Sequence, residues 1–294
     1  MKYSEFPSYF QAADQASVSA QKKYLLIIKI DLLSMIVASA LFIYNYQLPK
    51  SKLIVYAISF LLLLLSLILT IILKTKKYED LWYQGRALAE SCKTLTWRFV
   101  CCSEYFENNL SLHNAKARFV ERTRELAKEF QDLSKVMNSK TLNLPIITDK
   151  MSEIRSYLLL DRKKYYIDNR IDDQKTWYST KAQYNIEKYN LWFGIIIGSQ
   201  TLAIISIVTL IKWPENNLNL VGLLTTISAS ALSWLQLKQH QELKQAYTTA
   251  TQELNFIETL SEDVSTEDEL SKFVLDSENA ISREHTLWLA QRRK

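Results

Sequence analysis

Long apolar runs alternate along this chain with long, densely charged ones. Four runs are almost purely apolar: about Tyr24 to Tyr46, Leu53 to Leu73, Leu191 to Ile211 and Leu218 to Leu237. Each supplies roughly 20 residues, enough as helix to cross the ~30 Å of a bilayer's hydrocarbon at ~1.5 Å per residue. The second (LIVYAISFLLLLLSLILTIIL) and the third carry no charged side chain, a length that buried helices of water-soluble proteins rarely sustain. The pattern predicts an all-α protein with four membrane-spanning helices in two hairpins. Lys29 and Asp31 interrupt the start of the first run. Either the hydrocarbon stretch begins near Leu32 and both residues sit at the interface, Lys29 snorkelling outward, or they form a polar pair facing a bundle interior or pore mouth.

The links within the hairpins are short, QLPKSK from Gln47 and KWPENN from Lys212. Pro49 and Pro214 are expected to end helices there, because proline lacks the N–H that a continuing helix needs. Trp192 and Trp213 bracket the third run as interfacial aromatics do. Tight links return each hairpin to the side it entered from, so the N-terminus, the segment Lys74 to Asn190 and the C-terminal tail share one compartment. Near the span ends that side carries Lys22, Lys23, Lys74, Lys76, Lys77, Lys181, Lys188, Lys238 and Lys244, against Lys50, Lys52 and Lys212 opposite. Positive residues favour the cytoplasmic side. Both termini are therefore expected in the cytoplasm. The polar lead before Tyr24 is 23 residues long and contains Glu5 and Asp14, unlike the start of a signal peptide.

The polar segments read as helix. Phe119, Thr123, Leu126, Phe130, Leu133 and Met137 alternate steps of four and three, a heptad-like core seam. NSKTLNLP from Asn138 to Pro145 is the best break between two halves, 1–140 and 146–294. Helix is expected again from Thr148 to Asn190, running on into the third span with a kink near Asn169. Thr266 and Glu269 have capping-box spacing before an amphipathic helix reaching Trp288. The acidic run Glu258 to Glu269 reads as a solvated turn with helix N-terminal charge. Corresponding spans in the two halves are offset by about 165 residues, a repeat of layout rather than of residues.

Composition agrees with long helices: only 4 Gly and 4 Pro accompany 48% hydrophobic residues. Cys92, Cys101 and Cys102 form no CxxC pair, which suits small packing residues in a reducing compartment. Net charge is +5, but bases are interleaved with acids rather than gathered in a stripe, so nucleic-acid binding has little support. No phosphate loop, dinucleotide fingerprint or H-E-x-x-H occurs, and His113, His240 and His285 stand far apart. No enzyme activity and no cofactor are expected.

The fourth run holds the chemistry that is present. Gly222, Thr226 and Ser230 fall at i, i+4 and i+8, with Ser233 near the same face and Thr225, Ser228 and Ala229 widening it. Small residues at this spacing let helices approach closely in lipid; alternatively the hydroxyls line a water-filled path in an oligomer. In the polar segments, Arg86, Glu90, Lys93, Arg98, Arg170 and Asp173 lie near span ends, where ion pairs between helices would couple the two halves.

Two blocks carry a family resemblance: WYQGRALAESCKTLTWR over 82–98, with R-A-x-A-E-S-x-K-T at its centre, and RIDDQKTWYSTKAQYN over 170–185. Each adjoins a two-span hairpin, and together they resemble the SLATT family, SMODS and SLOG-associating two-transmembrane effectors, here in tandem. The resemblance implies a bacterial inner-membrane effector in nucleotide-signalled, anti-phage conflict systems. It also implies that the effector assembles with copies of itself and breaches the bilayer when a partner nucleotidyltransferase or nucleotide sensor relays infection. A membrane-anchored scaffold or sensor that recruits a partner without conducting is the alternative. A secondary transporter ranks last, since the second and third runs lack a proline interruption.

Overall fold

The computed structural model describes residues 1–43, 49–216 and 218–292, and every regular element among them is helical. In chain order these are α1 (Ser8–Ala40), α2 (Pro49–Lys76), α3 (Tyr78–Val100), α4 (Leu112–Glu129), α5 (Ser139–Leu142), α6 (Asp149–Arg155), α7 (Leu159–Tyr166), α8 (Asp172–Lys212), α9 (Val221–Lys238), α10 (His240–Leu260) and α11 (Glu267–Arg292). Tyr44 to Leu48 and Asn217, in the two links, lie outside the described residues, as do the side chains of Pro49, Lys50, His285 and Trp288.

The chain forms two compact units, each drawing on both halves of the sequence. A polar unit comprises Met1–Gln21, Glu79–Ala182 and Gln245–Lys294; an apolar unit comprises Lys22–Tyr78 and Gln183–Lys244.

In the polar unit, short helices begin where side chains satisfy the first free N–H groups. Ser111 accepts from the Asn114 N–H at 3.2 Å, Asn138 from that of Lys140 at 2.9 Å, and Thr148 from that of Met151 at 3.3 Å. The expected capping box is present at α11: the Glu269 carboxylate accepts from the Thr266 N–H at 2.9 Å, and Thr266 Oγ1 from the Glu269 N–H at 3.3 Å. The core is aromatic. Phe99 packs on Phe106 and Phe119 with ring centroids 5.5 and 5.0 Å apart, and Trp97 meets Tyr166 edge-on at 5.7 Å. α1 and α3 touch backbone to backbone at Gly85, where a Cβ would come within 3.0 Å of the Ser17 amide nitrogen and 3.1 Å of the Ala13 carbonyl.

Several sequence expectations change here. The heptad seam is not one helix: α4 stops at Glu129 and a 3-10 turn covers Gln131–Lys135, so Phe119, Thr123 and Leu133 are buried while Leu126 and Phe130 are only half-buried. Helix from Thr148 is interrupted after Arg155, and the kink near Asn169 takes the form of a π-helical segment, Ile167–Ile171. π segments often mark functional positions inside longer helices. The acidic run is not merely solvated, because Glu258 pairs with Lys175 and Glu267 with Arg162. Pro49 opens α2 rather than ending a helix, which suits a residue whose missing N–H falls among the unpaired donors of a first turn.

The helical stretches Ser51–Val100 and Leu159–Lys212 each contain a segment long and apolar enough to cross a membrane, and only 17% and 22% of those segments is buried within the protein. Leu53, Phe60 and Leu61 of α2 are 71%, 64% and 61% exposed, and Ile204 and Ile211 of α8 are 64% and 74% exposed. Water would not tolerate such a sheath on a folded unit. The runs in α1 and α9 are more mixed, with Lys29 and Asp31 in one and five hydroxyl residues in the other. α1 ends at Ala40, so the last part of the first expected span is turn or outside the described residues, and α9 begins three residues later than expected, at Val221.

Candidate functional site

In the polar unit the two motif blocks meet. Trp82, Arg86, Glu90 and Lys93 recur at helical spacing on α3, and they line a cavity of about 300 Å³ with Asp14 of α1 and Asp173 of α8. Gln174, Trp177 and Tyr178 complete the wall from the second block. Four of the six residues expected to couple the halves, Arg86, Glu90, Lys93 and Asp173, are thus brought together. Burial lowers the pKa of the Lys93 ammonium, and Arg170 adds to that against the opposing pull of Glu90, Asp173 and Glu278. Burial raises the Asp14 carboxyl, which accepts a hydrogen bond from Tyr3 Oη at 3.1 Å.

The remaining two take separate places. Arg98 pairs with Glu104 at 3.1 Å and donates from Nη2 to Asn279 of α11 at 2.7 Å. Arg170, in the π segment, is fully buried against Glu278, donating from Nε and Nη2 at 2.8 Å each. Tyr166 Oη at 3.0 Å and Thr94 Oγ1 at 2.9 Å donate to the same carboxylate, so residues of both halves converge on it. Burial alone would lower the Arg170 pKa, but Glu278 outweighs it and holds the guanidinium charged. Burial also pushes Tyr166 well above the usual phenol range.

Sequence reasoning missed Glu278, although a signal existed. Leu270, Phe273, Val274, Ser277 and Ile281 form the buried face of α11, and Glu278 stands four residues after Val274 on that face. A carboxylate there requires a partner. The same holds for Arg162, which is 2% exposed and bonds the Glu267 carboxylate. The three cysteines are buried and free, and burial pushes the Cys92 thiol up to about 12.

In the apolar unit, Thr226 Oγ1 lies 3.2 Å from Ser39 Oγ of α1 and donates to the Gly222 carbonyl at 2.7 Å. A Cβ on Gly222 would meet Ser39 Oγ at 3.8 Å, and Ser230 is buried. Ser233 is exposed and does not join them. The reason is geometric: an i, i+4 row drifts about 40° per step, so it winds from exposed Gly222 to buried Ser230, while Ser233 falls back beside Gly222. Lys29 and Asp31 do not pair with each other. Asp31 accepts from Ser66 Oγ of α2, and the Lys29 ammonium lies 5.4 Å from the centre of the Trp234 ring.

Comparison with protein families finds two matches in tandem. Residues 7–163 match SMODS and SLOG-associating 2TM effector domain 3, and residues 166–288 match SMODS and SLOG-associating 2TM effector domain 1. The chain belongs to the SLATT family. No curated protein and no solved structure matches it. In SLATT terms, the 82–98 block lies in the type 3 domain and the 170–185 block in the type 1 domain, so the charged cavity joins the two. A two-transmembrane effector description agrees with the exposed apolar lengths of α2 and α8.

Proposed function

We propose that this tandem SLATT protein is an effector that crosses the bacterial inner membrane four times, assembles with copies of itself and permeabilises the bilayer in a nucleotide-signalled, anti-phage system. The observation that carries the reading is the apolar sheath. α2 and α8 expose large Leu, Ile and Phe side chains along their length, and α1 and α9 add exposed Leu26, Leu33, Val37 and Leu232. A hydrocarbon environment around all four helices accounts for that surface. Lys29 is placed to snorkel, and Trp213, 55% exposed with Lys212 4.6 Å from its ring centre, suits the opposite headgroup region. The lysine excess beside the span ends supports cytoplasmic termini.

Assembly is supported by α9. Thr225, Ala229 and Ser233 are exposed and stand at i, i+4 and i+8, the small-residue spacing by which helices pack in lipid. A permeation path then runs between copies rather than through one. The alternative of a non-conducting scaffold draws support from Thr226, whose hydroxyl already bonds Ser39 within the chain. A partner nucleotidyltransferase or nucleotide sensor would act on the polar unit, where the motif residues surround an open cavity.

Purified protein reconstituted into dye-loaded vesicles tests the reading. Release of dye, with a sedimentation profile larger than one chain, is the expected result. A monodisperse monomer that releases nothing, with or without cell extract from infected bacteria, would select the scaffold.

A further inference from the structure

Within the apolar unit, α1, α8 and α9 enclose an open cavity of about 490 Å³. Each helix brings one lysine to its mouth and an apolar ladder to its floor. On α1 the sequence of lining residues is Leu25, Lys29, Leu32, Leu33 and Ile36; on α8 it is Tyr184, Lys188, Leu191, Trp192 and Ile195, at identical spacing. α9 runs the other way and reaches the same mouth with Lys238, behind Trp234, Ala231 and Ile227. Gln239, in the left-handed region at φ 49°, turns the chain there, and His240 closes the corner by a 2.7 Å bond between its Nδ1 and Asn185 Oδ1.

The cations at this mouth rest on aromatic faces. Lys29 and Lys238 flank Trp234 at 5.4 and 5.9 Å, and Lys188 lies 5.5 Å from the Tyr184 ring centre. Among the described residues, Lys29 and Lys188 form no ion pair with a carboxylate. From the lysines the floor runs down roughly 10 Å on α1 and α8 and about 16 Å on α9, at ~1.5 Å per residue. On α9 that depth matches one leaflet's share of ~30 Å of hydrocarbon, and on α1 and α8 it covers about two thirds of it. A cationic rim above a mostly apolar trough, interrupted on α9 by Ser230, fits a molecule that is anionic at one end and apolar along most of its length.

We propose that this cavity binds an anionic phospholipid of the cytoplasmic leaflet, its phosphate held by Lys29, Lys188 and Lys238 and an acyl chain laid along Leu33, Ile195 and Ile227. The inference rests on the membrane-spanning reading above. Basic recesses between spanning helices on the cytoplasmic side are suited to anionic headgroups, because each lysine near the surface adds attraction to them. Trp192 and Trp234 supply the amphipathic walls that such an interface favours.

The test is lipid retention. Full-length protein in discs containing phosphatidylglycerol and phosphatidylcholine is washed into lipid-free detergent, and the lipids still bound are weighed by mass spectrometry. Wild type should retain phosphatidylglycerol preferentially. Lys29→Gln with Lys188→Gln should cut that preference by roughly tenfold or more. Ile227→Trp, which fills the trough, should reduce retention of both lipids. Lys74→Gln with Lys76→Gln, at the end of α2 and outside the cavity, should change nothing. Equal retention of the two lipids by wild type overturns the proposal without any variant. So does an equal loss in the Lys74 and Lys76 control, which would mean diffuse surface charge, or complete displacement by inorganic phosphate, which would mean a small-anion site. Alkaline extraction of native membranes separates the two levels. Protein that washes off refutes the spanning reading itself, whereas protein that stays but shows no lipid preference refutes only the cavity assignment.

Discussion

Arg170 and Glu278 form a two-point ion pair that is buried almost to the last square ångström, 1% and 0% exposed, with both contacts at 2.8 Å. The pair ties a π segment to α11, and Tyr166 and Thr94 complete the shell around the carboxylate. Removing one member of such a pair strands the other without water. Glu278→Ala should therefore lower stability by about 3–5 kcal/mol, read as a drop in the melting temperature of the protein in detergent. Replacing both with apolar residues, Arg170→Met and Glu278→Leu, should recover much of that loss. A single variant that melts like wild type would mean the pair is not closed in the native protein.

Gly85 gives a second prediction. The backbone of α1 lies where its Cβ would be, and neither the Ser17 amide nor the Ala13 carbonyl is a flexible end that can swing away. Gly85→Ala should destabilise by about 1–3 kcal/mol. Trimming Ser17 to Ala in the same chain should not rescue it, because the obstruction is main chain and the change also removes the 3.0 Å bond from Ser17 Oγ to the Trp82 carbonyl. Rescue by Ser17→Ala would count against the close approach.

Lys93 predicts a pH dependence. Its pKa lies below the ordinary 10.5 because burial disfavours the charged form. Below the lowered value the folded protein bears the full cost of holding that charge. Between that value and 10.5 the folded state has released the proton while the unfolded chain still binds it, so stability rises with pH; above 10.5 the cost is gone. Lys93→Met should accordingly be more stable than wild type at neutral pH, with the advantage shrinking as the pH is raised toward 10.5. A neutral-pH melt showing Lys93→Met less stable would mean that pairing with Glu90 and Asp173 outweighs burial.

What could be read from the sequence was what is local or long. The apolar lengths of α2 and α8 needed only composition, and the Thr266 and Glu269 capping box needed four consecutive residues. Periodicity overreached at Phe119 to Met137, because a heptad pattern does not register the turn at Phe130 that ends α4. The motif blocks at 82–98 and 170–185 were visible, but their meeting around one cavity depends on folding that brings α3 beside α8. Glu278 and Arg170 are 108 residues apart, and nothing near either names the other. Likewise Asp31 is visible as a polar residue in an apolar run, but its partner, Ser66, lies on another helix, 35 residues away.

α9 separates packing within one chain from packing between copies, and its two faces call for opposite outcomes. Thr226 faces α1 and bonds Ser39, so Thr226→Leu should remove that contact and crowd the helices, lowering the melting temperature of the single chain. Ala229 is exposed between Thr225 and Ser233. Its side chain is exposed rather than packed, so Ala229→Leu should leave the single chain's stability within about 0.5 kcal/mol. If copies pack through this row, the added bulk should push them apart. The sedimentation profile should then shift toward monomer, and dye release from vesicles should fall with it, at unchanged helicity and insertion. An Ala229→Leu protein that assembles normally and releases dye at the wild-type rate would remove α9's outer face from the interface. The path between copies would then have to be built from α2 or α8, whose exposed surfaces are mostly Leu and Ile, with Thr70 of α2 and Gln200 and Thr201 of α8 as exposed polar residues.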